Sequence, residues 1–160
     1  ATSSKGIYGY RDFVIMDQEG NYLVRAESVW FFYDTEKMIP VRVMPEDVAA
    51  YGEEEAFDLE KAPRKIAVPK EYIEGTPVTI AAHHLDTNHH VNNAQYVDIA
   101  REAVPCTKMV KEIRADYKKA AVLGEVLIPR VTNTGKDQWT VVLADETGEA
   151  RAVVWLRYEE

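Results

Sequence analysis

The stretch from Tyr8 to Met16 is rich in β-forming residues, and so is the stretch from Tyr22 to Tyr33. Between them stands the turn signal Asp17-Gln18-Glu19-Gly20, so the two runs read as a β-hairpin. Val29-Trp30-Phe31-Phe32-Tyr33 puts apolar side chains on both faces of the second strand, which predicts a strand sandwiched between layers. Pro40-Val41-Arg42-Val43 predicts a short extension. Met44-Pro45-Glu46-Asp47 then opens a short helix through Tyr51, with proline early and acids in the first turn.

The pattern changes at Gly52. Glu53, Glu54, Glu55, Asp58 and Glu60 precede Pro63-Arg64-Lys65 and Pro69-Lys70, the composition of an exposed linker. The expected organisation is therefore a first part over 1–51, a linker over 52–69 and a second domain over 70–160. In the second domain, Val78-Thr79-Ile80-Ala81 reads as a strand leading into a histidine-rich turn. Tyr96, Ile99, Ala100, Ala103 and Val104 recur three and four apart, predicting a helix with one buried stripe. Asn92 or Asn93 serves as its N-cap and Pro105 ends it. Four β-rich stretches follow, Lys108–Ala121, Glu125–Asn133, Gln138–Asp145 and Glu149–Tyr158, separated by glycine-containing turns. One long helix followed by a four-strand antiparallel meander describes an α+β unit with its sheet wrapped on that helix. Trp30 and Trp155 each stand near the close of a long hairpin, a hint of two related halves with the first incomplete.

Composition narrows the class. The 160 residues are 46% hydrophobic and 29% charged, ordinary globular values. The apolar run at Val29–Tyr33 is far too short for a membrane span. A net charge of −8 excludes a whole-surface footprint for nucleic acid. The single cysteine, Cys106, excludes internal disulfides and cysteine-rich zinc sites, so a reducing cytoplasm is the expected compartment.

The four histidines fall within His83-His84-Leu85-Asp86-Thr87-Asn88-His89-His90, and three readings of this cluster compete. Metal binding suits imidazoles and a carboxylate, but no further His and no Cys beyond Cys106 exists to complete a site. A structural reading makes Asp86, Asn88 and Asn92 turn and cap residues. A catalytic reading uses Asp86, Asn88 and His90 at alternate positions of an extended loop, converging on one small volume. Just beyond them, the first helical N–H groups near Val91, Asn92 and Asn93 lack internal partners and could stabilise an oxyanion.

Asp86-Thr87-Asn88-His89-His90-Val91-Asn92-Asn93-Ala94-Gln95-Tyr96 resembles the D-x-N-x-H-V-N-N-x-x-Y signature of acyl–acyl carrier protein (acyl-ACP) thioesterases, the bacterial relatives of the plant chloroplast enzymes. Tyr117 followed by Gly124-Glu125 is similar to a strand-turn pattern of the same family. Gly9-Tyr10-Arg11-Asp12-Phe13 and Ser28-Val29-Trp30 resemble the closing strands of its first domain. The resemblance implies the hotdog fold, an antiparallel sheet wrapped around a central helix. One hotdog would be complete at about Lys70 to Glu160, with the last strands of another before it and most of a further domain ahead of Ala1.

By the same resemblance the catalytic residues are Asp86, Asn88 and His90, and the reaction is hydrolysis of the acyl-ACP thioester. His90, held by a carboxylate, would activate water; Asn88 would orient it; the helix N-terminus would receive the developing charge. No cofactor or metal is implied. Many family members carry a glutamate three residues after the strand tyrosine, where this chain has Ala120, followed by Ala121. Either Asp86 takes the carboxylate role alone or activity is weakened. The acidic carrier protein would meet Lys108, Lys111, Arg114, Lys118 and Lys119, a basic stretch interrupted only by Glu112 and Asp116. Pairing of two chains through their sheets is the usual hotdog arrangement.

Overall fold

The computed structural model describes residues 3–37, 39–49, 52, 54–59 and 63–160. They form two compact units, divided between residues 61 and 62.

The first unit contains β1 (Ser3–Lys5), β2 (Tyr8–Met16), β3 (Tyr22–Asp34), β4 (Ile39–Val41) and α1 (Pro45–Ala49). Its strands pair antiparallel in the order β1-β2-β3-β4, so the expected hairpin is its spine. The Asp17 carboxylate closes the turn by accepting the N–H groups of Glu19 at 2.9 Å and Asn21 at 2.8 Å. Gly20, at φ 88°, takes the left-handed conformation that a side chain would resist. Register sets Gly9 opposite Trp30, whose ring lies over the glycine and occupies the space of a Cβ. In α1, the Asp47 carboxylate accepts the Met44 N–H at 2.9 Å. The expected helix end at Tyr51, and Glu53 and Glu60 of the acidic run, lie outside the described residues.

One expectation for this unit needs correction. Trp30 and Phe32 pack edge to face at 5.1 Å on one side of β3. Val29, Phe31 and Tyr33, on the other side, are 40%, 50% and 43% exposed. Among the described residues of this unit no second layer covers that face.

The second unit contains β5 (Ile73–Glu74), β6 (Val78–Thr79), a 3-10 turn (Ala82–His84), α2 (Asn93–Ala103), β7 (Val110–Tyr117), β8 (Val126–Gly135), β9 (Gln138–Ala144) and β10 (Ala150–Tyr158). Asn92 is the N-cap of α2: its side-chain oxygen accepts the Ala94 N–H at 2.9 Å. The stripe of Tyr96, Ile99 and Ala100 packs with Leu127, Val141, Leu143, Val154 and Leu156. Burying each of those leucines contributes on the order of 2 kcal/mol, so the helix is held chiefly by the sheet rather than by its own propensity. This is a sheet wrapped on one helix, the hotdog arrangement.

Strand order corrects the expected meander. The sheet runs β5-β8-β9-β10-β7, with β6 also pairing with β8. β8, β9 and β10 are joined by tight turns and pair in sequence, but β7 pairs with β10. The connection over 118–125 is too long for a tight hairpin and must pass β10 and β9, three strand spacings or roughly 14 Å. Ala121, at its middle, is 0% exposed.

The segment expected as an exposed linker is not free in its second half. Ile66 is buried with Val142 and Val153 on the sheet face away from α2. Arg114 donates to the Pro63 carbonyl within the segment and Thr132 to that of Glu71 just after it.

Candidate active site

Leu85 to Val91 is a tight hairpin rather than the extended loop expected from sequence. Leu85 and Val91 form an antiparallel bridge. Inside it the Asp86 N–H donates to the His90 carbonyl at 2.8 Å, and the His89 N–H donates to the Asp86 carbonyl at 3.1 Å. His89 closes the turn at φ 60°, a conformation uncommon for residues other than glycine. Asp86 and His90 therefore face each other across the turn, brought together by the hairpin rather than by strand alternation.

The Asp86 carboxylate does turn-closing work. Its Oδ1 accepts the N–H of Asn88 at 2.8 Å and of His90 at 3.2 Å. Desolvation pushes this carboxyl up, but hydrogen bonds from His90 and Asn88 outweigh it and leave the group below its ordinary value of 3.8. It stays ionised at neutral pH. Asn88 and His90 are exposed and Asp86 half-buried, so water reaches the imidazole.

The oxyanion assignment is narrowed. Val91 N–H donates to the Ala121 carbonyl at 2.9 Å and Asn92 N–H to the His84 carbonyl at 2.9 Å. Both are spent because Val91 and Asn92 still belong to the hairpin's returning limb, where other main-chain carbonyls face them. The Ala94 N–H is taken by the Asn92 cap. Among the described residues, the Asn93 N–H, at the first helical position, is the donor left without a partner at the positive end of α2. Tyr117 hydroxyl donates to the Asn93 carbonyl at 3.1 Å, which ties β7 to the same point.

Three contributors carry no site role in the sequence reading. Tyr96 is buried, and its hydroxyl accepts the Ala121 N–H at 2.8 Å. Glu125 Oε2 accepts the Val122 N–H at 3.1 Å, and His90 forms an antiparallel bridge with Val122. Arg151, only 8% exposed, pairs with Asp145 at 3.1 Å and with Glu125 at 2.9 Å. The signal available was the tyrosine of the motif itself, at the spacing that puts Tyr96 on the buried stripe. His84 is a structural member of the cluster: its Nδ1 accepts the Ala81 N–H at 2.9 Å, and its ring sits 4.0 Å from that of His83. Burial, with the His83 charge beside it, holds the His84 imidazole below its ordinary value of 6.5.

The basic stretch is not one patch. Lys108 pairs with Asp137 and Lys111 with Glu159, each at 2.8 Å, at one end of β7. Lys118 pairs with Asp116 at 2.7 Å and Lys119 with Glu149 at 2.8 Å, beyond its other end. Arg114 lies over the Trp155 ring on the face away from α2. Cys106, half-buried, is beyond the far end of α2 from the hairpin. Among the described residues no three His, Cys, Asp or Glu side chains are placed to hold a metal ion, and no helix is long and apolar enough to cross a membrane.

Comparison with known proteins adds to this geometry. An acyl-ACP thioesterase from Bacteroides thetaiotaomicron superposes with a TM-score of 0.85 at 18% identity, covering 99% of this chain and 65% of that one. A 12:0-ACP thioesterase from Umbellularia californica gives 0.78 at 20% identity, with the same two coverages of 99% and 65%. The chain thus spans 65% of the length of either, and likeness at such identity speaks for the fold. No curated protein matches in sequence. The family model for the acyl-ACP thioesterase N-terminal domain matches residues 1–51, and that for the acyl-ACP thioesterase C-terminal domain matches residues 69–155. With the hotdog sheet and the motif hairpin, these matches show that the chain belongs to the acyl-ACP thioesterase family.

Proposed function

We propose that this protein hydrolyses the thioester of fatty acyl-ACP to free fatty acid and ACP, ending fatty acid elongation. The observation that carries the reading is the Asp86–His90 hairpin set directly before α2, at whose start the Asn93 N–H has no partner among the described residues. His90 takes a proton from water as the water oxygen attacks the thioester carbonyl carbon. The carbonyl electron pair moves onto oxygen, where Asn93 N–H and the helix dipole stabilise it. Collapse of this intermediate breaks the carbon–sulfur bond, and the carrier thiolate takes the proton from His90. Asn88 orients the water or the carbonyl, and ionised Asp86 stabilises the imidazolium while holding the turn.

Lys118 and Lys119 open the 118–125 connection and form the part of the basic stretch best placed to meet an acidic carrier. Lys108, Lys111 and Arg114 would act at greater distance. A reducing cytoplasm fits the lone Cys106 and this substrate, and pairing of two chains through their sheets fits the fold.

A second reading, a non-catalytic acyl-carrier-binding module, is favoured by Ala120 in the position where resemblance expects a glutamate. A third, an acyl-CoA thioesterase, keeps the chemistry and changes the carrier. Free fatty acid measured from matched acyl-ACP and acyl-CoA substrates separates all three. Faster release from acyl-ACP is expected. Faster release from acyl-CoA would move the assignment to the third reading, and tight acyl-ACP binding without release to the second.

A further inference from the structure

We propose that Arg151 is a positioning residue of this site, acting through the 118–125 connection to hold the Asp86–His90 hairpin against α2. The proposal rests on the reading of that hairpin as the active site. Arg151 sits on β10, not in the motif, and it grips the connection at three places. Its Nη1 donates to the Ala120 carbonyl at 2.8 Å and its Nη2 to Glu125 Oε1 at 2.9 Å. Its own carbonyl accepts the N–H of Lys118 at 2.9 Å and of Lys119 at 3.3 Å. Nε, the third face of the guanidinium, donates to Asp145 Oδ2 at 3.1 Å and so fixes the side chain to the β9–β10 turn.

The connection passes this constraint directly to the site. Ala121 accepts the Val91 N–H and donates to the Tyr96 hydroxyl, while Val122 bridges to His90 and donates to the other oxygen of Glu125. One guanidinium thereby fixes both ends of a connection whose middle is main-chain bonded to the proposed base's neighbours. Arginine is required by geometry as well as charge. Its planar fork reaches three acceptors in fixed directions, whereas a lysine ammonium on a flexible stem neutralises the carboxylates without spanning them.

Arg151→Lys in the full chain tests this, read by amide hydrogen exchange and by acyl-ACP hydrolysis. Exchange at Val91 and Ala121 is expected to quicken about tenfold, while Val141 and Leu143 in the sheet centre stay unchanged. kcat is expected to fall about tenfold with KM within about twofold, since the substrate's own contacts remain. A folded variant with unchanged exchange at Val91 and Ala121 overturns the proposal. If the parent protein releases no fatty acid but the exchange responds, the functional reading fails and the positioning role stands. Should Arg151→Lys not fold, Glu125→Gln serves, keeping an acceptor for Val122 N–H while removing one ion pair. Exchange about threefold faster at Ala121 and Val122 is then expected, and parental exchange there overturns the proposal equally.

Discussion

The His90 N–H donates to Asp86 Oδ1 at 3.2 Å, so the two residues joined by the motif are bonded through main chain and carboxylate. Asp86 therefore shapes the turn as well as charging it, and two substitutions separate those roles. Asp86→Asn keeps an oxygen for the Asn88 and His90 N–H groups and removes the charge; its fold stability should stay close to the parent's, with acyl-ACP hydrolysis reduced. Asp86→Ala removes both, leaving two turn donors unpaired at about 1 kcal/mol each. His90→Ala should leave the turn intact and lower the rate by about 10²–10⁴-fold. Steady-state release of fatty acid, beside thermal unfolding, checks all three; undiminished turnover in His90→Ala would remove it from the role of base.

Tyr96→Phe deletes the one acceptor of the buried Ala121 N–H. The expected loss is about 1–3 kcal/mol, since a buried donor is left unmade rather than replaced. Urea unfolding measures it, and a loss below about 0.5 kcal/mol would mean that the connection finds another acceptor.

Asp145 carries a pH dependence of definite sign. The Thr147 hydroxyl holds its carboxyl down most strongly; desolvation opposes this, and the N–H groups of Glu149 and Thr147 and the Arg151 guanidinium add to the lowering, to about 2 from 3.8. A depressed acid contributes stability fully above its unfolded value, and that contribution disappears as pH falls through the folded one. The thermal midpoint should therefore drop between about pH 4 and pH 2. Asp145→Asn should flatten that part of the profile; an unchanged slope would assign the transition to other carboxylates.

His84 has the opposite chemistry and a separate window. Its lowered value means that the folded state binds fewer protons than the unfolded chain, so stability falls as pH drops below 6.5. Protonated Nδ1 can no longer accept the Ala81 N–H. His84→Asn offers an amide oxygen in its place, and its unfolding midpoint should change less between pH 7.5 and 5.5 than the parent's.

Gly9→Ala drives a methyl group into the Trp30 ring. Overpacking of this kind costs about 1–3 kcal/mol, confined to the first unit. Trp30→Leu in the same chain should recover most of it, as a denaturant series on the single and double variants would show.

Much of the fold is local and was legible for that reason. The first hairpin, α2 and each strand from β7 to β10 follow from runs of residues that need only their neighbours to be read. Strand order is not local: nothing in Val110–Tyr117 announces that its partner is Ala150–Tyr158 rather than Val126–Gly135. The rule that helix starts leave N–H groups free points to Val91, Asn92 and Asn93 alike as oxyanion donors. The carbonyls of Ala121 and His84, remote or folded back, take two of them. Arg151 was invisible because a single arginine in an apolar strand reads as a solvent-facing position; only its two carboxylate partners from other turns make it a buried one.

The order β5-β8-β9-β10-β7 also sets a timetable. β7 is made first of the second unit's four long strands, yet its partner β10 is made last of them. Until Tyr158 has left the ribosome, β7 has no ladder to join, the 118–125 connection has no Arg151 to close on, and Val91 has no settled carbonyl to meet. A nascent chain stalled before residue 150 would carry the whole motif and no assembled site. A motif written ahead of all four of these strands is assembled only by the last of them to be made.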